Sequence, residues 1–226
     1  MQSPAGRMMP INTFSSELLR KLHKADRFGQ LNGDQFLLSL LVMPEKWVHI
    51  PLIAFSNQAL ANYYELSTPA CAYVELFDTN GHYKLQERLE AAYAKMPAQR
   101  NAFDKDLIKL DEQINIFHQL IRYQWLPIFP LRGDPAHKWY APGEDLSAFS
   151  GKDSLFVSQI MGWYLQEVRE GLKTDDWKKA DEVLAMIDTY QQAQEEILDI
   201  RPAKMEAEIR YNQLDLFRQC KKGYLI

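Results

Sequence analysis

The chain has 226 residues, of which 46% are hydrophobic and 25% are charged, and its formal net charge is −4. This composition is typical of one large or two small globular domains that bury a substantial core. Its charges are interspersed, so nucleic acid and acidic lipid surfaces are not expected partners, and neither a membrane span nor a signal peptide is predicted.

The first part of the chain predicts short elements joined by turns. Apolar residues recur at helical spacing, and Asn-Gly and proline residues mark the breaks between elements. The first predicted helix is capped by Thr13, and the second is a buried helix from Asp34 to Met43. Pro44 either ends this second helix or begins a short helix after it. The remaining predicted elements are an edge strand within Ile50–Phe55, a turn within Phe77–Tyr83 and a helix from Leu85 to Lys95.

The second part predicts long amphipathic helices. Apolar residues alternate at steps of three and four from Phe103 to Trp125, which predicts a helix of about 26 residues. Two further stripes run over Val157–Leu172 and Trp177–Ile200, and Pro202 suits the first turn of a last helix. Four tryptophans near apolar stripes are predicted to pack in the core or between helices: Trp47, Trp125, Trp163 and Trp177.

Such helices bury their stripes on one another, so we predict a mainly α fold. It is expected to be an irregular helical bundle with a long ordered proline-rich loop and at most minor β structure. We expect a single soluble domain of residues 1–226, with residues 1–96 as a possible N-terminal lobe and 97–226 as the bundle. Cys71 and Cys220 form no metal or redox motif; two idle thiols are favoured, and one long-range disulfide stays open.

Residues 127–151 interrupt the helical pattern. Four of the eleven prolines lie between Pro127 and Pro142, and no helix crosses such a segment because proline lacks a backbone donor. Long loops inside compact domains are usually functional or disordered. Aromatic residues in and beside this segment argue against disorder: Trp125, Phe129, Trp139, Tyr140 and Phe149. The sequence therefore predicts an ordered loop that carries function.

Motifs for catalysis and metal binding are absent from the sequence. HExxH, GxSxG and Gly-rich phosphate loops do not occur, so neither catalytic residues nor metal ligands are predicted. His118 is expected to be a structural histidine at a helix edge. Within the loop, Arg132, His137, Trp139 and Tyr140 are predicted to form a binding surface. Taken one at a time, His137 is favoured as a structural residue of the loop, and Trp139 is favoured as an anchor of the loop to the body of the domain.

Four segments resemble the extracytoplasmic region of the fused System II cytochrome c biogenesis proteins, in which a ResB-like half precedes a CcsA-like half. The segments are Gly6–Lys21, Asp104–Ile114, Gly133–Leu146 and Glu208–Phe217. The resemblance extends over nearly the whole chain and rests on no catalytic signature. The tryptophan-rich segment and axial histidines with which that family handles haem are not found here, so no functional residue is carried over.

The resemblance implies a role in moving haem across the bacterial inner membrane and joining it to CxxCH motifs of exported apocytochromes. It implies a periplasmic domain, tethered by transmembrane helices outside this chain, that scaffolds or docks apocytochrome. The domain itself is expected to be no enzyme and to hold no cofactor, the parent protein being the haem–apocytochrome ligase. The expected partners are the apocytochrome c polypeptide and the membrane-embedded parts of the same protein, with haem as a further candidate and no nucleic acid.

Two other functions stay open at this point. One is a generic helical protein-interaction domain outside haem chemistry. The other is a helical enzyme whose site lies in the loop and uses Asp134, His137 or Glu144. The missing nucleophile and metal motifs weigh against this second alternative.

Overall fold

The computed structural model describes residues 1–3, 5–193 and 202–214. Helices dominate, and the strands form two small antiparallel sheets, which confirms the predicted mainly α fold. The chain divides into two compact units. Residues 18–122 form the central unit, and residues 1–17 form the terminal unit together with the described residues from 123 onward. The predicted organisation as one domain, with a lobe of residues 1–96 and a bundle of 97–226, stays a prediction.

The central unit contains the end of the first helix and all elements up to the longest helix of this unit. Its elements are α1 (Ile11–His23, which begins in the terminal unit), α2 (Gly33–Val42), α3 (Pro44–Trp47), β1 (Ile53–Ala54), α4 (Gln58–Tyr64), β2 (Ala70–Cys71), α5 (Gln86–Ala94) and α6 (Ala102–Ile121). Strands β1 and β2 are antiparallel, with Ile53 opposite Cys71. Three helices begin at asparagines whose side chains accept a hydrogen bond from a first-turn N–H: Asn32, Asn57 and Asn101.

The core of the central unit is built around α6. Leu107, Leu110 and Ile114 lie on one face of this helix, as their spacing of three and four residues predicts, and all three are buried. They pack in one cluster with apolar side chains from β1, α4 and α5. Each fully buried side chain of this kind contributes about 1.5–3 kcal/mol, so this cluster holds the unit together.

Asp104 ties the start of α6 to the end of α5. Its carboxylate accepts hydrogen bonds from Lys95 Nζ at 2.7 and 3.0 Å and from the backbone N–H of Asn101 at 3.1 Å. The pKa of Asp104 lies below its usual value, mainly because its carboxylate accepts the hydrogen bond from Lys95. Desolvation opposes this effect, and the hydrogen bond from Asn101 adds to it. A carboxylate with a lowered folded-state pKa stabilises the fold above its unfolded-state pKa, and this stabilisation is lost as the pH falls through the folded-state value.

The stability of the chain is therefore expected to depend on pH through Asp104. Acidification from about pH 6 to about pH 3 spans the ordinary carboxyl range, so it protonates this group in the unfolded chain before it does so in the folded protein. It should then lower the urea midpoint of the wild type by more than that of Asp104→Asn, which has no charge to lose. Urea denaturation at both pH values measures the difference. Equal losses in the two proteins would contradict this role of the carboxylate.

The terminal unit contains the other small sheet and the longest of the described helices. Its elements after the start of α1 are β3 (Phe129–Pro130), β4 (Trp139–Tyr140), α7 (Gly151–Thr174), α8 (Lys178–Gln192) and α9 (Pro202–Leu214). Helices α7 and α8 pack against each other. At their junction the Trp177 ring covers Gly171, where an added Cβ would lie only 2.8 Å from the ring. Of the helices described, none has the length and apolarity needed to cross a bilayer.

Helix α9 is attached to the start of the chain by a polar network. The Glu208 carboxylate accepts hydrogen bonds from Arg7 at 2.8 Å and from the Thr13 hydroxyl at 2.7 Å, and Asn212 donates to Thr13 at 2.8 Å. Partial burial opposes ionisation of Glu208, but these hydrogen bonds outweigh it and keep its pKa below the usual value. Two of the four segments that carry the family resemblance therefore contact each other.

Several predicted boundaries were wrong. Thr13 does not cap α1, which begins at Ile11, because its hydroxyl is used by Glu208 instead. Helix α6 has 20 residues and ends at Ile121, since Tyr123 adopts a left-handed φ of 60° that turns the chain out of the helix. Trp125 therefore packs its ring against Phe14, with 6.2 Å between centroids. Helix α4 was not predicted at all.

The predicted tryptophan packing is correct for some positions only. Trp47 is buried and lies 5.2 and 5.0 Å from the rings of Phe28 and Phe36. Trp163, on α7, is 51% exposed, so the prediction that it packs between helices is wrong. The predicted helix that starts near Trp177 includes residues 194–200, which lie outside the described residues. Cys220, one of the two cysteines of the suggested disulfide, also lies outside them.

Candidate functional site

The predicted proline-rich loop is ordered, and it folds as a hairpin of two short strands. Strand β3 pairs with β4 in an antiparallel register that places Phe129 opposite Tyr140 and Pro130 opposite Trp139. One residue before β3, the Ile128 N–H donates to the Tyr140 carbonyl at 3.1 Å. Proline has no backbone N–H to donate, so the prolines in this segment are compatible only with short strands, and each strand has two residues.

The base of this β3–β4 hairpin is held from both sides. The Gln2 side chain donates to the His137 carbonyl at 2.9 Å and accepts from the Trp139 N–H at 2.9 Å, as a neighbouring strand would. On the other strand, Tyr190 donates to the Pro130 carbonyl at 3.2 Å and Gln191 donates to the Ile128 carbonyl at 2.8 Å. The hairpin is therefore fixed to α8 and to the start of the chain.

The tip of the hairpin, residues 131–138, is shaped by Asp134. Its carboxylate accepts hydrogen bonds from the backbone N–H groups of Ala136 and Lys138, both at 3.0 Å. The bond from Ala136, followed by that from Lys138, holds the pKa of Asp134 below its usual value, so the group is ionised at neutral pH. His137 has a φ of 49°, a conformation that non-glycine residues rarely adopt and that the surrounding hydrogen bonds impose.

The four predicted binding residues do not form one exposed surface. Arg132 and His137 are exposed at the tip, and Tyr140 is half-buried against Phe149, 5.3 Å between centroids. Trp139 is only 2% exposed, so its ring anchors the hairpin in the interior, which is the role favoured for this residue when it is taken by itself. Binding by any of these residues stays a prediction.

Sequence reasoning missed two residues of this site. Lys138 places its ammonium group 4.2 Å from the centroid of the Tyr140 ring, a cation–π arrangement. Their spacing of two residues was the available signal, since alternate residues of an extended segment share a face. Gln2 had no local signal, because its contacts with residues 137 and 139 exist only in the folded chain.

The tip carries an excess of positive charge. Arg132 has no ion-pair partner among the residues described, while the Lys138 ammonium lies 3.7 Å from a Glu144 oxygen. The negative charge of Asp134 is directed into the backbone of the turn. Among the described residues, Arg132 is therefore an exposed cation of the tip without an ion-pair partner.

The carboxylates suggested for an enzyme in this loop have structural contacts. Asp134 caps the turn, and Glu144 accepts a hydrogen bond from the Ala141 N–H at 2.8 Å. These contacts explain both acidic residues through local backbone structure. These contacts weigh against an enzyme site that uses Asp134 or Glu144.

Other reactive side chains lie outside the hairpin. His118 Nδ1 lies 2.8 Å from the Tyr73 hydroxyl, in line with the predicted structural role. Burial raises the pKa of Cys71 to about 12, with a smaller contribution from Glu75, so this thiol stays protonated at neutral pH. In residues 1–3, 5–193 and 202–214, no three His, Cys, Asp or Glu side chains are grouped so as to hold a metal ion.

Comparison with known proteins gives one informative similarity. No family model matches the chain. The chain is 30% identical over 227 aligned residues to protein NrfI of Wolinella succinogenes, a similarity that covers 100% of this chain and 25% of NrfI. The chain therefore spans about a quarter of the length of that relative. NrfI is a biogenesis protein of the cytochrome c haem lyase type, and the similarity to it suggests an enzyme-like role in attaching haem. On this comparison, the prediction that the domain is no enzyme is wrong. The similarity supports a role for the chain in cytochrome c biogenesis.

Proposed function

We propose that the chain is the periplasmic part of a membrane-bound cytochrome c biogenesis protein of the fused System II type, and that its β3–β4 hairpin binds the apocytochrome polypeptide during haem attachment. Membrane helices outside this chain would tether it. The observation that carries the proposal is the similarity to NrfI along the whole chain, together with a rigid, exposed hairpin tip. Haem enters as a substrate of the whole protein.

Rigidity is the first property that suits the hairpin to this task. A flexible loop loses conformational entropy when it binds, whereas a preorganised one does not. Asp134 fixes the tip, Gln2 fixes the edge of β4, and the buried Trp139 ring fixes the base. The binding free energy is therefore available for contacts with the partner.

The second property is the chemistry of the exposed groups. An apocytochrome without haem is an unfolded polypeptide, with free backbone carbonyls and carboxylates along its length. The Arg132 guanidinium offers five N–H donors in a fixed geometry, which suits both kinds of acceptor. His137 adds an imidazole, which is also exposed on the tip. The hairpin would hold the polypeptide near the site of haem attachment.

Isothermal titration calorimetry with an apocytochrome peptide that contains a CxxCH motif tests this function. The variants are Arg132→Ala and His137→Asn, the latter because asparagine tolerates the left-handed backbone. Each variant is expected to bind the peptide at least about fivefold more weakly than the wild type, since each loses one contact. Lys152→Ala, an exposed cation at the start of α7, is the matched control and should bind normally. Wild-type affinity in both tip variants would refute the docking role.

A further inference from the structure

A pocket of about 180 Å³ lies in the central unit, where the end of α1, the start of α4 and the middle of α6 meet. Its apolar wall consists of Phe55 and Leu60, both of which are buried. The polar part of the lining consists of Lys21, Lys24, Ser56, Asn57, Asp106, Lys109, Glu112 and Gln113. None of these residues takes part in the hairpin.

The walls of the pocket are held by hydrogen bonds. Asn57 donates to Asp106 at 2.9 Å and accepts from the Leu60 N–H at 3.1 Å, which joins α4 to α6. Gln113 donates to the carbonyls of Lys21 and Ala54 at 2.8 and 3.2 Å, which joins α6 to α1 and β1. The pocket is thus preformed, as small-ligand sites usually are.

The lining of the pocket carries more positive than negative charge. Asp106 is paired with Lys109, whose Nζ lies 3.3 Å from the carboxylate, and the charge of Lys24 also acts on Asp106. Lys21, Lys24 and Glu112 form no salt bridge within the part of the chain that the structure describes. Over the lining as a whole, three lysines face two carboxylates. An anionic group is therefore favoured over a cationic one.

We propose that this pocket binds a carboxylate carried on a short apolar arm. The carboxylate lies between the ammonium groups of Lys21 and Lys24, and the apolar arm packs against Phe55 and Leu60. The volume of about 180 Å³ has room for about six water-sized groups, which suits an aliphatic acid of about four carbons. Two sources supply this chemistry: a free short-chain carboxylic acid, or the propionate side chain of a porphyrin such as haem.

Titration of the full chain with sodium butyrate, followed by the backbone amide signals of Ser56 and Asn57 in ¹H–¹⁵N NMR spectra, tests the pocket. The wild type is expected to show saturable shifts at these residues at millimolar butyrate. The Lys21→Gln/Lys24→Gln double variant should bind at least about fivefold more weakly, because both cations are lost. Both lysines are exposed, so the double variant keeps its fold. Lys105→Gln, an exposed lysine on α6 outside the pocket, is the matched control.

Non-saturable shifts in the wild type, or equal butyrate affinity in the double variant and the control, would overturn the proposal. A competition experiment then identifies the source of the carboxylate. Displacement of butyrate by haem, but not by its dimethyl ester, supports the pocket with a propionate as its ligand. Displacement by neither supports the pocket with a free acid as its ligand. Because the hairpin lies in the other unit, failure here leaves the calorimetric test of the hairpin unaffected.

Discussion

The Gln113→Leu variant is expected to be less stable than the wild type by about 2–4 kcal/mol, measured by urea denaturation. The Gln113 side chain is buried, and its amide nitrogen donates to the carbonyls of Lys21, Leu22 and Ala54 at 2.8, 3.2 and 3.2 Å. The first two are C-terminal carbonyls of α1, which have no partner inside their own helix. Leucine has a similar volume but no donor, so it leaves three acceptors without this partner.

The matched control for this prediction is Gln119→Leu, the same substitution on the same helix. Gln119 is half-buried. Its replacement should change the free energy of unfolding by no more than about 0.5 kcal/mol, as is usual for positions outside a buried hydrogen-bond network. A similar loss in both variants would show that the donor of Gln113 does not hold α1, β1 and α6 together.

Trp139→Ala is expected to destabilise the terminal unit by about 3–5 kcal/mol, because it empties a large buried site. The Trp139 ring is 2% exposed, and its N–H group finds no acceptor among the described residues. Trp139→Phe should therefore cost less, at about 1–2 kcal/mol, since it keeps most of the packing and removes a buried donor that has no partner here. Thermal unfolding of the three proteins measures the order.

Trp163→Ala provides the control for Trp139, because it removes the same side chain from an exposed position on α7. With 51% of Trp163 exposed, its loss should cost no more than about 1 kcal/mol. Greater destabilisation by Trp163→Ala than by Trp139→Ala would contradict the assignment of Trp139 as the anchor of the hairpin.

The long helices could be predicted where apolar residues repeat at helical spacing over several turns. Leu107, Leu110 and Ile114 identified α6 because their spacing alone places them on one face. The end of α6 could not be predicted in the same way, since Trp125 continues the spacing although Tyr123 has left the helix. Periodicity shows which residues share a face; the contact between Trp125 and Phe14 depends on the folded chain.

The hairpin was predicted as an ordered loop but not as paired strands. Strands of two residues carry no alternation that a sequence pattern can show. Their position depends on Gln2 and on Tyr190 and Gln191, which are far away in the sequence. The burial of Trp139 likewise follows from tertiary packing, so the sequence alone could not decide between an anchoring and a binding role for this residue.

The segments that carry the resemblance contain many of the polar anchors of the fold. Residues with such contacts occur in each of the four segments: Arg7 and Thr13, Asp104 and Gln113, Asp134 and Glu144, and Glu208 and Asn212. Each pair holds elements or turns of the chain together. The resemblance therefore pointed to a kind of protein, and it did not identify a site.

The most direct measurement of the docking role is photocrosslinking in the membrane-bound protein. The photoreactive residue p-benzoylphenylalanine replaces Ala136 at the hairpin tip or, as a control, Gln159 on the exposed face of α7. We expect apocytochrome to be crosslinked from position 136 and not from position 159. Crosslinking from position 159 with none from position 136 would show that the polypeptide binds elsewhere on the chain.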